Sequence, residues 1–397
     1  MENQYRPFFS RKQINALMWF SLLAILILSS LGPKAVEYQN IEHNDAKNIY
    51  WMELDGQPLT LTMLLPARPA LNENQRQLQQ LKAQILQKRL RDNASPAYSF
   101  SVTPRQDRIE LNLKWAAEQS LPDINNILTA LQQPVETSRW QEALKTIEAR
   151  DYLQNQATEQ QIINKFFSSI QHESTPVLSQ LAGSFNAQFQ QIRYVISGDE
   201  ADNYAEQLEE LLTESTSQVA PLSTPTVAAQ DINLTNPSDS QYRILTGGLI
   251  PPRNHEEFVA YRLAAQVLQD LFTEYKDQHG LDYRLLWGAL NVTGYQAVLL
   301  SSKQHLQPLL PQLQQLITDD LVELSQNRLA YQWEERMRDN QNQVQAMNLI
   351  AYYDLSPDTL EEYIEQIQDQ DIEKVIQLAK QALQTDQHIN ILLTPTH

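Results

Sequence analysis

Tyr242-Arg243-Ile244-Leu245-Thr246-Gly247-Gly248-Leu249-Ile250-Pro251-Pro252, followed by a long helical pattern from Asn254 to about Lys276, is the stretch whose reading decides the fold. The apolar run has strand length, the prolines stop it, and the amphipathic period then changes from two to 3.6. The same order stands earlier in the chain: a strand at Leu59 to Leu65, then Pro66 and Pro69, then a helix from Asn72 to Arg91. A pair of strands follows each helix. In the first pair Tyr98, Phe100, Val102 and then Ile109, Leu111, Leu113, Trp115 place an apolar residue at every second position, as half-buried strands do. The second pair, Tyr283 to Leu290 and Tyr295 to Ser301, turns around Gly294. Helical patterns come next in both places. In the first half they run through Ile124 to Leu131, Trp140 to Tyr152 and Gln160 to Ile170, before a strand at Ile192 to Ile196 ending at Gly198. In the second they run over Leu306 to Leu324, Leu329 to Ile350, Pro357 to Ile367 and Ile372 to Leu383, before a strand at Ile389 to Leu393. One α+β unit is used twice.

Ser, Thr and Pro dominate Glu214 to Ser240, with few large apolar residues, so this segment reads as the exposed linker between the units. The expected domains are 48–213 and 241–397, joined by 214–240, and Ala201 to Leu212 is a helix leading into the linker. The 397 residues carry a net charge of -18, which excludes nucleic acid as a partner, because phosphate contacts need a basic face. There is no cysteine, which removes disulfides, thiolate nucleophiles and Cys-type zinc sites.

From Gln13 to Pro33 no residue is charged, and Ala16 to Leu28 is apolar almost throughout. About 20 such residues span a bilayer core as a helix. Arg6, Arg11 and Lys12 precede the span, which keeps residues 1–12 cytoplasmic and exports the body. The rival reading is a cleaved signal peptide, but the run is longer than a usual apolar segment of that kind, and Pro33-Lys34-Ala35 is a poor cleavage site. The expectation is a single-pass anchor at 13–33 in a bacterial inner membrane, with a periplasmic body.

Phe258 to Leu268, the later Gly280-Leu281-Asp282-Tyr283, and Arg193-Tyr194-Val195-Ile196-Ser197-Gly198-Asp199 resemble segments of the M16 (pitrilysin or insulinase-like) metallopeptidase family. The resemblance covers about residues 48–397. It implies two homologous M16-type α/β sandwich domains, each a mixed or antiparallel sheet with packed helices, which stand behind the one N-terminal transmembrane helix read from residues 13–33. The family's chemistry uses His-x-x-Glu-His on the first long helix, with two histidines holding zinc and a glutamate activating its water. The helix from Asn72 to Arg91 contains no histidine, and none of the seven histidines has another four residues away. Catalytically silent members keep an Arg and a Tyr in the second domain for substrate. The stretch from Leu285 to Ser302 has no arginine, with Leu290 and Asn291 at the place where one would stand. The resemblance leaves Tyr283 and Tyr295 as the peptide-groove residues.

His255-Glu256-Glu257 is the nearest approach to a ligand cluster, but acidic residues in a first helical turn follow from the helix dipole alone. His172-Glu173 reads the same way. Trp333 to Arg338 reads as a solvated helix face with opposite charges three or four apart. Gly247-Gly248 reads as a turn rather than a phosphate nest, and no Gly-x-Ser-x-Gly elbow is present. The expected function is therefore that of a non-catalytic M16-like protein that binds a protein or peptide, including an active M16 subunit, with no catalytic residue, metal or cofactor. The alternative is an active zinc metalloendopeptidase of the M16 class with atypical ligands.

Overall fold

The computed structural model describes residues 18–21, 36–46, 48–93, 98–115, 122–171, 175–185, 191–212, 227–236 and 239–395. The chain divides into two compact units, Met1–Glu37 and Tyr38–His397. In the first, residues 18–21 are helical, and most of the expected 13–33 span lies outside the described residues. No helix of the described residues is long and apolar enough to cross a membrane.

The second unit holds two sheets. The first is built from β1 (Glu42–Asn44), β2 (Ile49–Glu53), β3 (Leu59–Pro66), β4 (Ser99–Pro104), β5 (Arg108–Trp115) and β6 (Arg193–Gly198). Its order is β1-β2-β6-β3-β5-β4. The second contains β7 (Gln230–Asn236), β8 (Tyr242–Ile250), β9 (Asp282–Ala289), β10 (Gly294–Ser302) and β11 (Ile389–Pro395), in the order β7-β11-β8-β10-β9. With β1 set aside the two orders coincide strand for strand. Each sheet has one parallel pair, β2 with β6 and β7 with β11, and its other pairs are antiparallel. The duplication read from the sequence is thus a duplication of topology.

Two strands of that topology escaped the sequence reading, β2 and its counterpart β7. The latter lies inside the segment expected as linker. It is an edge strand whose backbone pairs with β11, and only Ile232 and Leu234 pack against apolar neighbours. An edge strand needs little apolar surface, so polar composition does not reveal it.

The helices are α1 (Glu73–Asn93), α2 (Ile124–Leu131), α3 (Gln141–Gln154), α4 (Thr158–Ile170), α5 (Val177–Ser184) and α6 (Ala201–Leu211) in the first half. In the second they are α7 (Phe258–His279), α8 (Leu309–Gln315), α9 (Asp319–Met337), α10 (Asn340–Tyr353), α11 (Thr359–Gln368) and α12 (Ile372–Gln381). The breaks around α9 fall elsewhere than expected, at Leu316–Thr318 and Arg338–Asp339, where Asp339 caps α10 by accepting from the Gln341 N–H at 2.8 Å.

Leu61, Met63, Leu65, Ile109, Leu111 and Ile196 line one face of the first sheet and are buried against α1, α2, α3 and α6. Ile244, Val298 and Leu300 do the same against α7 in the second. The opposite faces are covered by exchange. Helix α4, from the first half, packs on β8 and β11, while α10, from the second, packs on β2, β3 and β6. Each half therefore completes the other's core, and residues 38–397 form one compact unit although two homologous halves compose it.

Candidate functional site

Helix α1 is where the family resemblance would put the zinc motif, and its buried face is polar in an unusual way. Gln75, Gln77, Gln79 and Lys82 are all buried. Their amides are held by hydrogen bonds: Gln75 Nε2 donates to Gln180 Oε1 at 2.9 Å and Gln79 Nε2 to the Arg108 carbonyl at 2.9 Å. Gln77 Nε2 donates to Asp151 Oδ2 on α3 at 3.2 Å and to Glu73 Oε1 at 3.3 Å. A zinc site needs imidazole, thiolate or carboxylate lone pairs converging on one point. Here an amide donor occupies the space between the two carboxylates, so these residues do not fit the ion. Among the described residues no group of three or more His, Cys, Asp or Glu could hold a metal.

Burial pushes the Lys82 ammonium down to about 8, with Arg68 adding to the effect. The neutral amine is therefore favoured in the fold relative to the unfolded chain. The stability this contributes is present above the ordinary lysine value and is lost as pH falls through about 8. A shift of this size corresponds to at most about 3 kcal/mol. Lys82→Met should accordingly gain stability over the wild type near pH 7, with the gain fading between about pH 8 and pH 10.5. Parallel urea titrations at pH 7 and pH 10.5 test this, and a pH-independent difference would count against it.

The densest polar cluster lies where the two halves meet. The β4–β5 turn of the first half faces the β9–β10 turn of the second. Each turn is tied to the segment leaving its own central strand, through Ala67 N–H to the Asp107 carbonyl (2.8 Å) and Arg253 N–H to the Leu290 carbonyl (3.1 Å). Across the seam Asp107, 0 % exposed, accepts at Oδ2 from the Asn291 N–H (3.1 Å) and the Tyr353 hydroxyl (2.9 Å). The Tyr352 hydroxyl donates to the Asp107 carbonyl at 2.5 Å and accepts from Asn291 Nδ2 at 3.2 Å. Arg108 bonds Asp107 at 3.0 Å and Glu110 at 2.8 Å, and its guanidinium lies 4.9 Å from the centre of the Tyr352 ring. Burial pushes the Asp107 carboxyl up against the pull of Arg108, and pushes the Tyr352 hydroxyl well above its usual range. Such a network orients two bodies, since each charge is satisfied in one arrangement only.

Tyr283 and Tyr295 do not come together. Tyr295 sits opposite Gly288 and Tyr283 opposite Leu300 in the register, which places the two rings on opposite faces of the second sheet. Tyr295 is buried, meets Phe167 edge to face at 4.9 Å and exchanges hydrogen bonds with Gln106. Gly288 makes room for it: a Cβ there would lie 2.8 Å from the ring. Tyr283 packs against α7, where its hydroxyl accepts from Gln269 Nε2 at 2.7 Å.

His255 accepts at Nδ1 from the Glu257 N–H, and Glu257 pairs with Lys374 at 2.7 Å, so this trio starts a helix instead of gathering ligands. His172-Glu173 lies outside the described residues. Gly247-Gly248 is not a turn but the middle of β8, where a Cβ on Gly247 would stand 2.3 Å from that of Ala297. The charges of Trp333 to Arg338 pair as expected, Arg338 with Glu335 at 3.1 Å, while the Trp333 ring stacks inward on Tyr363 at 4.5 Å. Asp107, Arg253 and the Tyr352-Tyr353 pair were not singled out by sequence. Asp107 follows Gln106 in what reads as an exposed hairpin turn, and only the partner half buries it.

No protein-family model matches the sequence, and no curated protein does. Solved structures match in fold. The inactive domain of a peptidase M16 from Pseudomonas fluorescens superposes with a TM-score of 0.67 at 14% identity, covering 91% of this chain and 98% of that one. A putative M16-like peptidase from Alicyclobacillus acidocaldarius gives 0.65 at 12% identity, covering 92% and 99%. The ferredoxin protease FusC, in a complex with Arabidopsis ferredoxin, gives 0.60 at 13% identity, covering 92% of this chain and 47% of that one. The chain has the M16-like fold, and the buried face of its first long helix carries glutamine amides.

Proposed function

We propose that this chain is a non-catalytic M16-like protein, held at an inner membrane by residues 13–33, whose periplasmic body binds a protein or peptide, including as the silent subunit of an M16 peptidase. The observation carrying this reading is the face of α1, where Gln77 bridges Glu73 and Asp151 and no His-x-x-Glu-His is present. A fold kept without its metal chemistry retains surfaces, and surfaces bind. FusC, similar in fold, forms a complex with a protein, which supports a protein partner for this chain at a general level. The anchor rests on the uncharged run from Gln13 to Pro33 and its basic flank.

The test uses the full chain in its own membranes, with a photoreactive amino acid at the exposed positions Glu256 and Tyr331. The expected result is a specific adduct whose partner, sequenced by mass spectrometry, is a polypeptide of the periplasm, such as one bearing His-x-x-Glu-His. Two results sink the reading: no adduct at either position, or purified full chain that carries one zinc per molecule and cleaves unfolded peptides.

A further inference from the structure

A cavity of about 260 Å³ opens in the helical layer of the second half, between the start of α7 and helices α9, α10 and α11. Phe258, Val259, Trp333, Leu349, Leu360 and Tyr363 make its walls apolar. Arg253, which follows Pro251-Pro252, also lines it. The Arg253 Nε is buried with no hydrogen-bond partner, and the guanidinium is packed 4.7 Å from the centre of the Phe258 ring and 5.6 Å from that of Tyr353. Arg108 close by is neutralised by Asp107 and Glu110, whereas Arg253 has no ion pair among the described residues. Burial pushes it down from the usual arginine range, with Tyr363 and Tyr353 opposing the shift and the cations Arg108 and Arg262 adding to it.

A buried cationic donor such as this Nε is costly without an acceptor, and an anion supplies what it lacks. The same wall includes the first residues of α7, a 22-residue helix whose N-cap, Glu257, makes no side-chain capping bond. The Glu257 and Phe258 N–H groups are taken by His255, at Nδ1 and at its carbonyl, so the helix start adds the favourable potential of its dipole for an anion. The one carboxylate in the lining, Glu256, is exposed, so its repulsion acts through solvent. The volume is below the roughly 300 Å³ at which pockets for drug-sized ligands begin, which suits one amino-acid side chain and leaves no room for a long acyl chain.

We infer that this pocket takes the C-terminal carboxylate of a peptide ending in an apolar residue, with the carboxylate on Arg253 and the α7 start and the last side chain against Trp333, Leu349 and Tyr363. The inference rests on the peptide- or protein-binding reading above and names the part of the partner that is recognised. A peptide C-terminus and a free fatty acid share this chemistry, and the cavity's size favours the peptide.

The experiment is fluorescence anisotropy with full chain in lipid nanodiscs and an N-terminally labelled tetrapeptide, glycyl-glycyl-seryl-leucine, as free acid or as C-terminal amide. The free acid should bind, and the amide at least about tenfold more weakly, the scale of one charge-assisted hydrogen-bonded contact. Arg253→Gln should lose a similar factor. Because that change can disturb folding, Leu349→Trp serves as a second variant: it fills the cavity, keeps Arg253, and should weaken free-acid binding at unchanged melting temperature. Equal binding of acid and amide, absence of binding, or tight binding undisturbed by Leu349→Trp overturns the assignment. Decanoate competing as strongly as the peptide overturns it in favour of a fatty-acid site. A chain that captures its membrane partner yet ignores the peptide overturns the pocket alone, while peptide binding without partner capture overturns the partner reading alone.

Discussion

Phe166→Ala should lower the free energy of unfolding by about 3–5 kcal/mol, the range for removing a fully buried aromatic ring that leaves a cavity. Phe166 is 0 % exposed on α4, a helix that belongs by sequence to the first half. What it packs against is the second half: Ile162, Ile163, Phe166, Phe167 and Ile170 share one cluster with Leu245, Leu299, Ile391 and Leu393. Phe166 and Phe167 stand 5.3 Å apart edge to face, and Phe167 continues to Tyr295 on β10, so the ring supports a chain of aromatic contacts as well as apolar area. The location of the damage is as informative as its size. Hydrogen exchange on the variant should show protection lost in β8 and β11, with the central strands of the first sheet changing less. If protection falls only within the first half, the exchange of helices between halves is not what holds the second sheet.

That exchange also explains what the sequence could and could not reveal. Strand β3 is legible as a short apolar run stopped by proline, the β4–β5 pair by its period of two, and helix α1 by its length and its period of 3.6. The second copy is legible for the same reason, and two matching orders make the duplication stronger evidence than either half. Strand β7 is not, because an edge position asks for backbone pairing and little else, and β2, an inner strand between β1 and β6, is five residues that stand before the repeated order begins. The site was less legible than the fold. The family resemblance names Tyr283 and Tyr295 together, yet Tyr295 pairs with Gly288, positions 283 and 288 differ by an odd number, and the period of two sends the two rings to opposite faces. Asp107 and Arg253 gain their character only from the other elements packed on them, and polar residues next to a turn or a proline pair carry no local sign of burial. The absence of His-x-x-Glu-His was readable at once, while the arrangement of Gln77 between Glu73 and Asp151 needed α3 brought beside α1.

Asp107→Ala should cost about 3–5 kcal/mol, because removing one partner of a buried ion pair strands the other. The carboxylate serves three donors at once: the Arg108 guanidinium, the Tyr353 hydroxyl and the Asn291 N–H. Tyr353 keeps a weaker alternative in the Ala289 carbonyl at 3.3 Å, and Arg108 keeps Glu110, so the backbone N–H of Asn291 is the group with the most to lose. Asp107→Asn retains an acceptor for the two neutral donors but removes the charge facing Arg108, and should fall between wild type and alanine. The double variant Asp107→Ala/Arg108→Met should be more stable than Asp107→Ala alone, since a buried pair replaced by apolar groups leaves no uncompensated charge. Glu110 tolerates that change because Arg105 holds it at 2.8 Å. Urea unfolding of the three variants reads the order directly. An alanine variant within about 1 kcal/mol of wild type would mean that water replaces the carboxylate at the seam. The two halves would then be held together by their exchanged helices alone, with the polar network only setting their register.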